Sequence, residues 1–461
     1  MRVTIVGNGI LGITTAIKLL EKDNTTEVTL IGDEFKKGSA SIAAAAMFNS
    51  FCEIEPSTLS NEIERKKWLF NKMSNSKWKD EIKKIEESIN SKINHGFGTF
   101  LINNHAADKI EDENFSSIIN GLDEFEEPYE YVDTNEIKNY NPSPRYRASK
   151  AVFIKNEGWV NPFEIIEAYE KILKANDKFN YINARVKKLI GSEEKIEKVV
   201  TDNGKTIFAD VFVLTNGADY TRLLDDSNLK FETPRIFYGV GCTAVIENNN
   251  NNISNCIRTP NRGLACGTYA APRSQNSLVI GASNNIMDYP EYEPKITSIY
   301  ALLKNLMEQI NQDYYNSKLK FTKTGLRPTS EDLIPLIGSL SDNLFVATGT
   351  KRDGFHCSPI ISEYISDLIL YKTSKIGVDD IFNPKRKPLK YLTRNESIEK
   401  YIKNKIDAHF QHDFNPSKDS IIQVLIDKYE REANEIHDKI SAIEWGIPIE
   451  LYGLYKHNIL K

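Results

Sequence analysis

The chain has 461 residues, enough for two or three domains with separate cores, and its 40% hydrophobic and 27% charged residues are the balance of an ordinary soluble globular protein. A formal net charge of −5 offers no field for nucleic acid, so no such partner is expected, and no run approaches the ~18 consecutive apolar residues of a membrane span. Cys52, Cys242, Cys256, Cys266 and Cys357 lack CxxC spacing and are odd in number, which argues against a zinc ribbon and a disulfide framework; no metal site is expected, and a reducing cytoplasm suits them.

Met1–Val6 has no charged leader with an apolar core behind it, so no secretory leader is expected. Instead Arg2–Val6 reads as a buried strand, the turn Gly7-Asn8-Gly9-Ile10-Leu11-Gly12 follows at once, and a helical pattern leads to a second strand at Val28–Ile31 and then Asp33. This is the pattern of a dinucleotide-binding βαβ unit. Gly7 permits the tight turn, Gly9 lets backbone approach a pyrophosphate, and Gly12 lets helix and strand pack closely. The helix N-terminus at Ile10 and Leu11 offers free N–H donors to the phosphates, and Asp33, 21 residues past Gly12, can accept from a ribose hydroxyl.

The segment Lys37–Met47, rich in small residues, suits backbone passing a bulky planar ligand or another element, or else the start of a tightly packed helix. Long charged helices are expected over about 55–92, with the Lys/Glu mixture of Lys77–Lys92 on a solvated face, then short strands at Gly96–Asn103 and Tyr129–Asp133 and a turn at Asn141–Pro144. Ala151–Ile154 and Gly158–Pro162 precede an amphipathic helix to about Ala175; Tyr181–Leu189, Ile196–Val200 and Val211–Leu214 resume a strand pattern that enters the turn Thr215–Ala218. Strands at Ile236–Val245 and Ser277–Ile280 flank an asparagine run, Asn248–Asn252, read as a surface loop, and a helix is expected over Ile296–Ile310. A third strand, glycine turn and helix start spans Asn343–Gly354. Beyond 384, Ile422, Ile426, Tyr429, Ala433, Ile436, Ile440 and Ile443 recur at steps of four and three, giving a three-heptad helix that either docks on the body or joins two copies into a homodimer.

Taken in order, the opening fingerprint, Gly32–Phe35 with Ser39–Ala46, Glu157–Phe163, Thr215–Ala218, Gly325–Pro328 with Pro335–Gly338, and Gly349–Gly354 resemble the D-amino acid oxidase and glycine oxidase family over about residues 1–375. The resemblance implies an α/β protein. A discontinuous Rossmann-like FAD-binding domain would take 1–50, 150–235 and 320–375, an inserted mixed β-sheet substrate or lid domain 51–149 and 236–319, and a helical C-terminal extension 384–461. It also implies oxidation of the C–N bond of a small amine or amino acid by hydride transfer to flavin N5, with oxygen or another electron acceptor closing the cycle. Gly7, Gly9, Gly12 and Asp33 carry over to the cofactor. Ser41, Ala44 and Ala45 would lie near diphosphate and flavin, Val186 near adenine, and Gly217, Arg327, Asp353 and Gly354 near the ring system.

On the substrate side the resemblance implies Arg327 and Arg352, whose planar forks suit a carboxylate, and Tyr238 as a substrate contact. Relatives that attach flavin covalently use a cysteine where this chain has Thr324 and Gly325, so FAD is expected to be non-covalent. His356, just past the third turn, is assigned no catalytic role. Three other readings stand beside this one: a nicotinamide dehydrogenase, suggested by the first motif alone; a tailoring flavoenzyme whose amine is presented by a peptide, carrier protein or RNA docked through the C-terminal helices; and a flavin-binding protein without turnover.

Overall fold

The computed structural model describes residues 1–460 except 105, 108, 249–251, 264, 265, 415 and 417, so most of the asparagine run lies outside the described residues. Six strands form a sheet in the order Leu336–Ser339, Leu344–Thr348, Val211–Leu214, Arg2–Val6, Glu27–Gly32, Phe179–Asn183; all pair in parallel except the first two, which are antiparallel. Because successive side chains of a strand point to opposite faces, this sheet feeds two cores. Val3, Ile5, Val28, Leu30 and Val213 pack on the helices Ile10–Lys22, Pro162–Lys174 and Ser358–Tyr371. On the other face Val6, Ile31, Phe212 and Leu214 meet Leu189, Ile196 and Val199 of a three-stranded antiparallel layer. The expected Tyr181–Leu189 stretch is thus two strands, one in each layer.

A second, ten-stranded sheet is mixed, as anticipated: Cys256–Arg258 runs parallel to His95–Asn103 while its other pairings are antiparallel. The two stretches around Trp159 form one strand, Lys150–Val160, which pairs here with His95–Asn103, and Lys318–Ser330 runs along Ile236–Glu247. At both places, grouped from sequence with the nucleotide unit, the chain passes through the large sheet first. The strand Tyr269–Ser274, buried on both sides over its first four residues, and the three-residue strand Asn285–Met287 give no alternation in the sequence, whereas the helix Lys109–Glu124 buries Phe115, Ile118 and Leu122 at steps of three and four, a periodicity the sequence reasoning missed.

Charge was a poor guide to exposure. The stretch 55–92 carries a single long helix, Glu62–Ile89, and the segment assigned to a solvated face buries Trp78, Glu81, Ile82 and Ile85. Glu81 is tolerated inside because Lys18 lies 3.2 Å away and the Tyr169 hydroxyl donates to it. Likewise the Arg262 and Glu111 side chains are each 1% exposed and lie 3.1 Å apart, with Asn104 and Gln309 accepting from further guanidinium donors.

In the C-terminal extension, Arg394–Gln411 opens with a Thr393–Glu396 capping box, and the heptad helix runs over Asp419–Lys439, ending before Ile443, which is exposed. Its stripe of Tyr429, Ala433 and Ile436 is buried against Tyr401, Leu451 and Tyr452 and against Phe237 of the large sheet. Of the two readings of that stripe, the chain uses it to dock on itself. Among the described residues no helix is long and apolar enough to cross a membrane.

Candidate active site

Between the two sheets lies a cavity of about 750 Å³, within the ~300–1,000 Å³ range of cofactor and ligand sites. Its first part is the glycine turn. Gly7, Gly9, Ile10 and Leu11 line it; Gly12 lies behind, where its Cα faces the Gly7 carbonyl. The small-residue run folds as a short helix, Ala40–Ala43, then an extended Ala44, and its Ser41 hydroxyl accepts from the Ile10 N–H at 3.0 Å. Ser41, Ala44 and Ala45 line the same space, joined by Asp33 and by Val186 of the three-stranded layer. Asp33 is already engaged. Burial opposes its charge, but the Arg185 guanidinium 2.8 Å away and the Phe35 N–H outweigh this and hold the carboxyl below its usual range. Gly217 marks open space at the second turn.

The large sheet walls the second part, where Tyr238, Arg327, Arg352, Asp353 and Gly354 line the cavity. All of the residues proposed from sequence therefore converge on one site, Gly12 as a supporting member. Arg327 lies over Gly241, where an added Cβ would fall 1.9 Å from its Nη1, and its fork donates to the Ser283 carbonyl at 2.8 Å and Asn284 Oδ1 at 3.3 Å. Among the described residues it has no anionic partner. Arg352 differs: it is ion-paired to Glu53 and donates to Cys266 Sγ at 2.8 Å. Glu53 also holds the buried Arg258 at 2.8 Å; burial raises its pKa, but Arg352 and Arg258 bring it down to about 2.

Tyr238 lies on the opposite strand face from Arg327. Gly239 is the residue registered with Arg327, and the Tyr238 hydroxyl donates to Asp219 at 2.9 Å, which is ion-paired to Arg222. The tyrosine sharing the Arg327 face is Tyr269, whose hydroxyl reaches over Gly281 on the same lining. Sequence reasoning missed Tyr269, Glu53, Arg258, Gly241 and Arg185. Of these only Gly241 left a local trace, a second glycine within a strand.

Glu157, in the segment ahead of the Pro162–Lys174 helix, fixes the turn that carries Glu53. Its carboxylate side chain accepts from the Phe51 N–H at 2.6 Å and the Cys52 N–H at 3.2 Å. Burial pushes its pKa from 4.5 up to about 7 despite those bonds and the nearby Arg258. Since the native state binds this proton more tightly than the unfolded chain, the contribution to stability is complete below the unfolded value and lost as pH rises to about 7. His356 acts in the opposite sense: burial lowers it from 6.5 to about 4, so its contribution is lost as pH falls across that interval. Glu157→Gln should therefore gain Tm relative to the parent steadily between about pH 4.5 and 7 in thermal melts. A Tm difference independent of pH would refute this ionisation.

A glycine turn at the carboxyl end of a central parallel strand, opening into a cavity with arginines under a mixed sheet, defines a two-part dinucleotide-binding enzyme. The model of the FAD dependent oxidoreductase family matches residues 2–368, and the chain belongs to that family. It is 24% identical over 395 residues to a glycine oxidase of Bacillus licheniformis, covering 83% of this chain and 96% of that one. To the bifunctional protein ThiO/ThiG of Synechocystis sp. it is 23% identical over 378 residues, 80% of this chain and 51% of the relative; the chain thus spans about half the length of that protein. Among solved structures, glycine oxidase from Bacillus cereus superimposes with a TM-score of 0.68 at 19% identity (83% and 97% coverage), and iminodiacetate oxidase from Chelativorans sp. with 0.69 at 16% (84% and 100%), which shows the shared fold.

The residues present suit FAD. Gly9 leaves the helix N-terminus accessible beside Ser41, and two buried polar atoms on the lining, Asn216 Oδ1 and His356 Nε2, have no partner among the described residues and so offer bonds to a bound group.

Proposed function

We propose that the enzyme oxidises the C–N bond of a small carboxylated amine, yielding an imine that water hydrolyses to a carbonyl product, with oxygen or another acceptor taking the electrons. FAD, held without a covalent bond, supplies the hydride acceptor at N5. The observation that carries this reading is the contrast between the arginines: Arg258 and Arg352 share Glu53, whereas Arg327 presents its fork with only neutral oxygens as partners. A planar fork lacking a counter-ion is suited to a substrate carboxylate, which it would bind through two charge-assisted bonds and hold in one orientation. Arg352 adds positive potential nearby, and Tyr269 shares the face on which the carboxylate would sit. The reacting carbon would lie between the two sheets, which would hold it in place against the flavin.

An anaerobic absorbance screen of the purified protein against glycine, sarcosine, D- and L-amino acids and simple amines tests this. Bleaching of the flavin band by a carboxylated amine is the expected result; bleaching only by amines that lack a carboxylate would overturn the assignment. A second reading draws on a 25% identity over 222 residues, 48% of this chain, to the tRNA 5-methylaminomethyl-2-thiouridine biosynthesis bifunctional protein MnmC of Idiomarina loihiensis. Under it the amine arrives on a larger scaffold and no free amine bleaches the flavin. The C-terminal helices support it less, since their apolar stripe is spent on the chain itself.

A further inference from the structure

We propose that the C-terminal extension buttresses the substrate-side wall from behind and that Glu450 is a positioning residue for the cavity arginines, an inference that rests on the carboxylated-amine reading above. Three contacts carry it. The extension's core takes in Phe237, with Ile286 and Leu333 packed against it. Phe237 shares a strand face with Gly239, which is registered with both Arg327 and Ile286, so the helices cover the continuation of the face on which Arg327 lies. The Gly263 N–H donates to Asp407 of the helix Arg394–Gln411, tying the extension to a point three residues before Cys266, the partner of Arg352.

The third contact is the most specific. Lys351 links the strand of Arg327 to the turn of Arg352: its N–H donates to the Pro328 carbonyl at 2.8 Å, one residue past Arg327, and Arg352 follows it. Its φ is +50°, a left-handed conformation that a lysine resists. From this turn the Lys351 side chain makes an ion pair with Glu450, and Arg352 makes one with Glu53. Glu450 thus holds the turn that aims Arg352 and, through Pro328, braces the end of the strand bearing Arg327. The extension lies outside the matched family segment, so this support belongs to this chain rather than to the shared fold.

The test uses the full-length FAD-loaded protein and acetate, a carboxylate without an amine, titrated against the visible band of the bound flavin. Glu450→Gln keeps the shape and removes the charge. It should weaken acetate binding, and raise KM for the bleaching amine, by about tenfold, with kcat and FAD affinity little changed. Adding Lys351→Gly to Glu450→Gln should restore acetate binding, because glycine adopts a positive φ without an anchor. A purely structural role for Glu450 predicts lower Tm without that rescue. The positioning role is overturned if Glu450→Gln binds acetate like the parent, or if Lys351→Gly fails to restore a weakened site. If the parent itself shows no response to acetate and no carboxylated amine bleaches it, the carboxylate reading falls, and the positioning role with it.

Discussion

Arg327→Ala is expected to abolish useful binding of a carboxylated amine while leaving FAD in place. In the parent the fork lies in the groove opened by Gly241, donating to Ser283 and Asn284, and has no carboxylate of its own among the described residues. A substrate carboxylate would enter a partly desolvated site in which this cation is its main compensation. Removing one partner of such a pair leaves the other charge stranded, at a cost of about 3 kcal/mol or more, roughly a hundredfold in affinity. The loss should appear in KM and in the half-reaction constant for flavin reduction. Arg327→Lys should recover part of it, since an ammonium keeps the charge but loses the two-point geometry. Flavin absorbance after gel filtration should match the parent, because the glycine turn and Ser41 are untouched and the Arg327 fork is directed to Ser283 and Asn284. An Arg327→Ala protein that reduces at parental substrate concentrations would remove Arg327 from the site. Loss of the flavin instead would mean that the residue serves the cofactor.

How much of this site could be read from the chain depends on how local each signal is. The turn Gly7–Gly12 and the strand before it are contiguous, and their meaning follows from sterics within a dozen residues. Arg327 and Arg352 were found through short motifs, but their unequal status was not. That inequality rests on Glu53, 299 positions before Arg352 in the chain, and nothing in Cys52-Glu53-Ile54 marks a residue that will hold two arginines. Tyr238 and Tyr269 show the same limit in another form. Both are aromatic residues in strands, and only the register of Gly239 with Arg327 and of Tyr269 with Gly281 decides which one shares the arginine's face. The C-terminal stripe was visible as a periodicity, yet periodicity gives an apolar face without saying what covers it. The answer lies in Phe237, near the middle of the chain.

Two alanine substitutions in the first turn should separate folding from cofactor binding. A Cβ at Gly12 would fall 1.9 Å from the Gly7 carbonyl oxygen and 2.7 Å from Thr215 Oγ1, atoms of the backbone and of a buried side chain that cannot withdraw. Gly12→Ala must therefore push the helix Ile10–Lys22 off the sheet. That contact belongs to the main core, where Ile13 and Ile17 pack with Val3 and Ile5, so stability should fall by several kcal/mol with the cofactor absent as well as present. At Gly9 the nearest atom to an added Cβ is Ser41 Oγ at 3.2 Å, the end of a small side chain that can turn away. Gly9→Ala should leave the melting temperature of the cofactor-free protein nearly unchanged. Its cost should appear only with FAD present, as a weakened dissociation constant and a smaller rise in Tm on adding FAD, because the new methyl group occupies the approach of the diphosphate to the helix N-terminus. Equal losses of cofactor-free stability in the two variants would show that Gly9 is needed for packing alone. Parental FAD affinity in Gly9→Ala would place the diphosphate elsewhere in the cavity.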